Sequence, residues 1–142
     1  EVLTILIDAE NYTEWYGYTK ASEVLKKEKN VQFNYVETIF PWPFKNRDMV
    51  YSMSTCVLST KEVLISLVGI PDFIPEKKGI VRMQKAAGTI LLKSVGDNIE
   101  VTYQFHSEPG NNIPVWLANN SIANLPFKTL LGLKKKLDGN RQ

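Results

Sequence analysis

The chain has 142 residues, 44% of them hydrophobic and 23% charged, with a net charge of +2. That length suits a single domain over 1–142 with one core, and so small a charge gives no electrostatic case for nucleic acid. One cysteine, Cys56, excludes an intrachain disulfide and a thiolate metal cluster, and no stretch is apolar for the length of a membrane span.

The first eight residues place Val2, Leu3, Leu6 and Ile7 at helical spacing, which predicts a short opening helix. Residues 11–17 carry Tyr12, Trp15 and Tyr16 in a polar frame and read as an ordered connection. From Thr19 the period becomes two, and 19–27 and 31–40 form a predicted hairpin about a polar Lys/Glu/Asn segment. In the second arm Val31, Phe33, Tyr35, Glu37 and Ile39 share one face, and Gln32, Asn34, Val36 and Thr38 share the other. The first face is the more apolar, so Glu37 is its odd member and needs a partner or water.

Residues 40–48, Phe-Pro-Trp-Pro-Phe-Lys-Asn-Arg-Asp, cannot be the middle of a paired strand, because two prolines fix φ and remove two donors. They predict an irregular crossing, with Arg47–Asp48 as a surface ion pair of small worth. Residues 49–58 read as a strand with Met49, Tyr51 and Met53 on one side, and 61–69 as another. Pro71 and Pro75 make 70–78 a loop that displays Phe73 and Ile74. Strands follow at 79–85 and 89–95, then a turn at 96–98. Ile99, Val101, Tyr103 and Phe105 alternate with polar residues in the clearest half-buried strand. Residues 108–112 break the pattern. Residues 113–137 return to helical spacing, with Pro114 in the first turn, Pro126 as a kink and 134–136 as a lysine run that suits a helix end. A polar tail, 138–142, closes the chain. The order predicts an α+β fold in which a curved antiparallel sheet wraps a long C-terminal helix.

Three segments carry a family resemblance: Pro41-Trp42-Pro43-Phe44 with Asn46-Arg47-Asp48-Met49-Val50; Gly79-Ile80-Val81-Arg82; and His106-Ser107-Glu108-Pro109-Gly110 running into Ile113-Pro114-Val115-Trp116-Leu117-Ala118-Asn119. In that order and spacing they resemble START domains, the steroidogenic-acute-regulatory-related lipid-transfer family within the Bet v 1-like superfamily. The resemblance implies a helix-grip fold with a hydrophobic tunnel between sheet and C-terminal helix. It implies binding, and transfer between membranes, of an apolar small molecule or lipid without catalysis. The helix starting near Ile113 would be the tunnel's lid, and loop 70–78 would flank its mouth, with Phe73 and Ile74 touching a membrane during exchange. This sequence departs from many members at Met53, where they carry an arginine five positions after the aspartate of the Arg-Asp pair. That favours a sterol-like or otherwise weakly charged ligand over a phospholipid. Glu108 and Asn111 stand where Asp and Gly are commoner. The family domain also has a helix and strands ahead of the helix that opens this chain. The expectation is therefore a fragment or, as the alternative, a strand-exchanged homo-oligomer.

On this reading the ligand-binding residues are Phe33, Tyr35, Glu37, Tyr51, Met53, Arg82, Tyr103, Phe105, Ile113 and Leu117. No residue is assigned to catalysis, a metal or a cofactor: His106 has no nucleophile at a telling spacing, and no ligand set has a metal's. The alternatives are a polyketide cyclase or aromatase of the same superfamily, with Glu37 and Tyr35 or Tyr51 as acid–base groups, and a regulatory or assembly module that uses exposed sheet edges. The lack of disulfides points to the cytoplasm, and Cys56 is expected to be buried and inert.

Overall fold

A computed structural model of the chain describes all residues except Pro109, Asn111, Asn112 and Gln142, and omits the side chains of residues 121–123. The break at 108–112 and the Asn111 departure therefore lie largely outside the described residues. Helix α1 spans Val2–Ile7 and leads into a short 3-10 helix, Ala9–Glu14. Seven strands follow: β1 Thr19–Glu28, β2 Val31–Thr38, β3 Arg47–Val57, β4 Glu62–Gly69, β5 Val81–Arg82, β6 Lys85–Val95 and β7 Asn98–Glu108. Helix α2, Val115–Asn140, ends the chain. The sheet order is β1-β2-β3-β4-β6-β7, antiparallel at every step, with β5 running parallel beside β3. This is the α+β helix-grip layout that the element order predicts.

Three features differ from expectation. The strand read over 79–85 shrinks to two residues, and β6 instead starts at Lys85 and runs unbroken to Val95. Helix α2 continues through most of the expected polar tail, because nothing at 138–140 breaks it. Cys56 is exposed, since β3 runs past the core at its end and Val57 beside it is exposed too.

Register decides which residues face the core, because directly opposed residues on antiparallel strands share a face. Met53 pairs Gln32 and Leu67, Tyr51 pairs Asn34, and Met49 pairs Val36. Ile65 pairs Ile90, and Ile90 pairs Tyr103. Met49, Tyr51, Met53, Ile65, Leu67 and Ile90 all belong to one buried cluster, so this stripe is the interior face. The even-numbered side of β2 thus points inward, contrary to the assignment from alternation. Phe33, Tyr35 and Glu37 lie on the outer face, where Phe73 stacks on Phe33 at 4.9 Å and Lys77 sits 3.9 Å from the Tyr35 ring centroid. Strand β2 is covered on both sides, which explains how a face carrying Gln32 and Asn34 is nevertheless interior.

Helix α2 is seated where the backbone lets it come close. A Cβ at Gly132 would collide with the Trp15 carbonyl oxygen, so glycine permits the contact. The Gly17 N–H donates to Thr129 Oγ1 at 3.2 Å, and Lys136 pairs with Glu14. These contacts hold the C-terminal half of α2 against the segment around Trp15.

Candidate functional site: a cavity under the closing helix

Between the interior face of the sheet and the N-terminal half of α2 lies a cavity of about 390 Å³. Val36, Met49, Tyr51 and Phe105 form its sheet wall, and Leu117, Leu125 and Pro126 its helix wall. Ile39, Phe40 and Pro41, from the proline crossing, form a third side with Tyr18. The volume falls in the usual range for small-molecule sites, about 300–1,000 Å³. Among the described lining residues none is Asp, Glu, Lys or Arg.

Toward the N-terminal segment the wall becomes phenolic. The Tyr16 and Tyr103 hydroxyls are 2.8 Å apart, the Tyr12 and Tyr16 rings stack at 4.8 Å, and the Tyr12 hydroxyl donates to the Leu6 carbonyl. Tyr51 lies among them, beside Asn34 and Tyr12. Burial, followed by neighbouring tyrosines, raises the pKa of Tyr12 and Tyr16 well above the ordinary phenol value. Burial likewise raises Tyr51, and pushes Tyr103 up to about 12. All four are therefore neutral at physiological pH. Behind them Gln32 Nε2 donates to the Ile7 carbonyl at 2.8 Å and to Asn34 Oδ1 at 3.0 Å, which satisfies two buried amides.

The opposite face of the sheet holds the charges. Asp48 pairs with Arg82, and both side chains are fully buried. Arg82 Nε donates to Asp48 Oδ1 at 2.7 Å and Nη2 to Oδ2 at 3.3 Å. The same guanidinium donates to the carbonyls of Pro71, Ile74 and Pro75 at 2.7–3.1 Å. It thereby staples loop 70–75 to the outer face, away from the cavity. Asp48, expected in a surface pair, is thus held in a buried structural one with Arg82. Arg47 is buried as well, donating to the Lys45 carbonyl and lying 5.1 Å from the Phe40 ring centroid. Glu37 accepts from Asn46 Nδ2 at 2.8 Å and lies 3.7 Å from Lys20 Nζ. Asn46 Oδ1 in turn accepts the Phe40 N–H at 3.0 Å, so Glu37 holds the proline crossing in place.

Of the ten residues expected at the ligand, the structure brings Tyr51, Phe105 and Leu117 to the cavity wall. Tyr103 reaches the wall through its bond to Tyr16, and Met53 is core, 2% exposed. Ile113 is half-buried ahead of α2 and off the wall. Phe33, Tyr35, Glu37 and Arg82 lie on the outer face. The acid–base grouping of Glu37 with Tyr35 or Tyr51 is not assembled, since register puts Tyr51 on one face of the sheet and the other two on the opposite face. No residue of loop 70–78 is among the described lining residues, whereas residues 39–41 of the proline crossing, read from the sequence as structural, are. The crossing's exposed aromatic is Trp42, 92% exposed after the lining residue Pro41. The Trp42–Pro43 peptide is cis. Tyr16 and Tyr18 were also missed; the aromatic cluster at 12–18 was the available signal.

The START domain family model matches residues 1–141. An uncharacterised protein of Pseudomonas aeruginosa is 35% identical over 128 residues, covering 89% of this chain and 63% of that protein. The mouse phosphatidylcholine transfer protein is 29% identical over 127 residues, covering 84% and 58%. Among solved structures, the STAR-related lipid transfer protein (fragment 25–204) from Xanthomonas axonopodis superposes with a TM-score of 0.89 at 37% identity, covering 99% of this chain and 78% of that one. The chain spans roughly three fifths of the curated relatives' length. With a family model matched along almost its whole length and the helix-grip layout in place, the chain belongs to the START domain family.

Proposed function

We propose that this domain binds a hydrophobic small molecule, a lipid with a weakly charged head, in the cavity under α2 and carries it between membranes. The observation that carries this reading is a cavity of about 390 Å³ with no charged side chain among its described lining residues. Binding then comes from apolar burial, worth about 0.8 kcal/mol per CH₂ removed from water. A phosphate would need a cationic partner, because an unpaired buried charge is costly. Met53, where many family members have arginine, supplies none. Transfer of phosphatidylcholine, which the mouse relative's name states, is for that reason the less favoured chemistry here.

Carriage needs a way in. The proline crossing and the first half of α2 both line the cavity, and both display apolar groups on the surface: Trp42 at 92% exposed, Val115 at 75% and Trp116 at 66%. Tryptophan suits a membrane interface, where an apolar ring and a polar N–H are both accommodated. The proposed membrane contact therefore lies at Trp42 and Trp116. Phe73, stacked on Phe33, belongs to the stapled loop. Native mass spectrometry of the purified chain should show a bound apolar ligand. Delipidated protein that takes up no sterol, fatty acid or phospholipid would overturn the reading.

A further inference from the structure

The tyrosine cluster does more than fill space. A hydroxyl offers one donor and two acceptor positions. Tyr12 gives its proton to the Leu6 carbonyl. Tyr16 and Tyr103 share a single hydrogen bond, so whichever accepts keeps a proton with no acceptor among the described residues. Tyr16 lines the cavity, as does Tyr51, whose ring stands within the same group. Of the other lining residues, Val36, Met49, Met83 and Phe105 cannot take that proton, and Thr38, His106, Ser107, Asn120 and Asn124 make no hydrogen bond to Tyr16 or Tyr103 among the described residues. An unused donor at an apolar cavity wall costs free energy until a ligand oxygen accepts from it.

We propose that the Tyr16–Tyr103 hydroxyl pair, with Tyr51 beside it, is the subsite that holds the ligand's polar group, and that this group is an uncharged oxygen, an alcohol hydroxyl or a ketone or ester carbonyl. This rests on the carrier reading and deepens it: the oxygen binds at the phenols, and the hydrocarbon extends toward Leu117, Leu125 and Pro41. Specificity comes from geometry rather than charge, since a site built to hydrogen-bond an oxygen discriminates against the analogue that lacks it.

The test uses the delipidated chain and three probes: cholesterol, cholestane (the same ring system without the hydroxyl) and phosphatidylcholine. Wild type should bind cholesterol roughly three- to tenfold more tightly than cholestane, the range of one net hydrogen bond, and more tightly than phosphatidylcholine. Tyr16→Phe and, separately, Tyr51→Phe keep the ring and remove the hydroxyl. At least Tyr16→Phe should abolish the preference while cholestane affinity stays the same, which also reports an intact cavity. If both variants keep the full preference, or if wild type binds cholestane as well as cholesterol, the subsite proposal is wrong and the carrier reading stands. Tighter binding of phosphatidylcholine than of cholesterol also refutes the subsite. If wild type binds none of the three, the carrier reading falls and takes the subsite with it.

Discussion

Replacing Arg82 by methionine should destabilise the domain severely and leave its ligand affinity alone. The guanidinium is fully buried against Asp48, with Nε–Oδ1 at 2.7 Å, and also satisfies three carbonyls of loop 71–75. Its removal leaves a buried carboxylate without its cation, a loss of about 3–5 kcal/mol. The carbonyls add little, because Pro75 is at the surface and water can reach the loop once it is released. Against a typical total stability of about 5–15 kcal/mol this is a large fraction. At about 2–4 °C per kcal/mol for a chain of this size, melting should fall by roughly 6–20 °C. The decisive comparison is the double variant Arg82→Met/Asp48→Leu. If the cost is that of an orphaned charge, removing the charge as well should restore most of the stability, since an apolar replacement of a buried pair is often neutral. Urea melts of the wild type, both single variants and the double variant close the cycle. A single variant that melts within 2 °C of wild type (about 1 kcal/mol), or a double variant no better than Arg82→Met, would refute this account. Measured below its melting range, Arg82→Met should bind lipid as wild type does, because the pair lies on the face away from the cavity. A selective loss of affinity would mean that Arg82 reaches the ligand after all.

Gly132→Ala should destabilise by about 1–3 kcal/mol, as overpacking against the Trp15 carbonyl outweighs the better helix propensity. Gly139→Ala, whose Cβ would meet nothing within 4 Å, should be neutral or stabilising in the same thermal melt. The raised phenols predict an alkaline limit. Below pH 10 both folded and unfolded tyrosines hold their protons. Between pH 10 and about 12 the unfolded chain loses a proton that native Tyr103 keeps, so stability falls as pH rises, by up to about 3 kcal/mol for this group. Urea melts across that range should show the decline and Tyr103→Phe should lessen it, whereas a flat profile would count against the buried cluster. Trp42→Ala should leave melting within about 2 °C of wild type, since the ring is 92% exposed, yet slow lipid transfer between vesicles. An unchanged transfer rate would remove Trp42 from the membrane contact.

The fold was legible because its signals are local: periods of two and 3.6, turn residues, and prolines that forbid a strand. The site was legible only where a strand is buried on one side. On β7 the alternation of Tyr103 and Phe105 with Gln104 and His106 gives the inward face directly. On β2 it misleads, because the strand is covered twice, by the core on one face and by the stapled loop on the other. Double burial removes the contrast on which an amphipathic reading depends. What remained was Phe33, Tyr35 and Glu37 against Gln32, Asn34 and Val36, and hydrophobicity chose the wrong side. Pairing resolves it: Met49, Tyr51 and Met53 alternate on β3 opposite Val36, Asn34 and Gln32, so the inward face of β2 is inherited from its neighbour. That inference needs register, which no single strand encodes. The same limit hid the Asp48–Arg82 pair, whose members are 34 positions apart and meet only through the parallel pairing of β5 with β3. It follows that charge was sought at the ligand and polar neutrality on the solvent side, while the fold places them the other way round. The buried ion pair secures the outer loop. The neutral amides and phenols of Gln32, Asn34, Tyr16 and Tyr51 face inward, and on that placement rests the proposal that the ligand's polar group is uncharged.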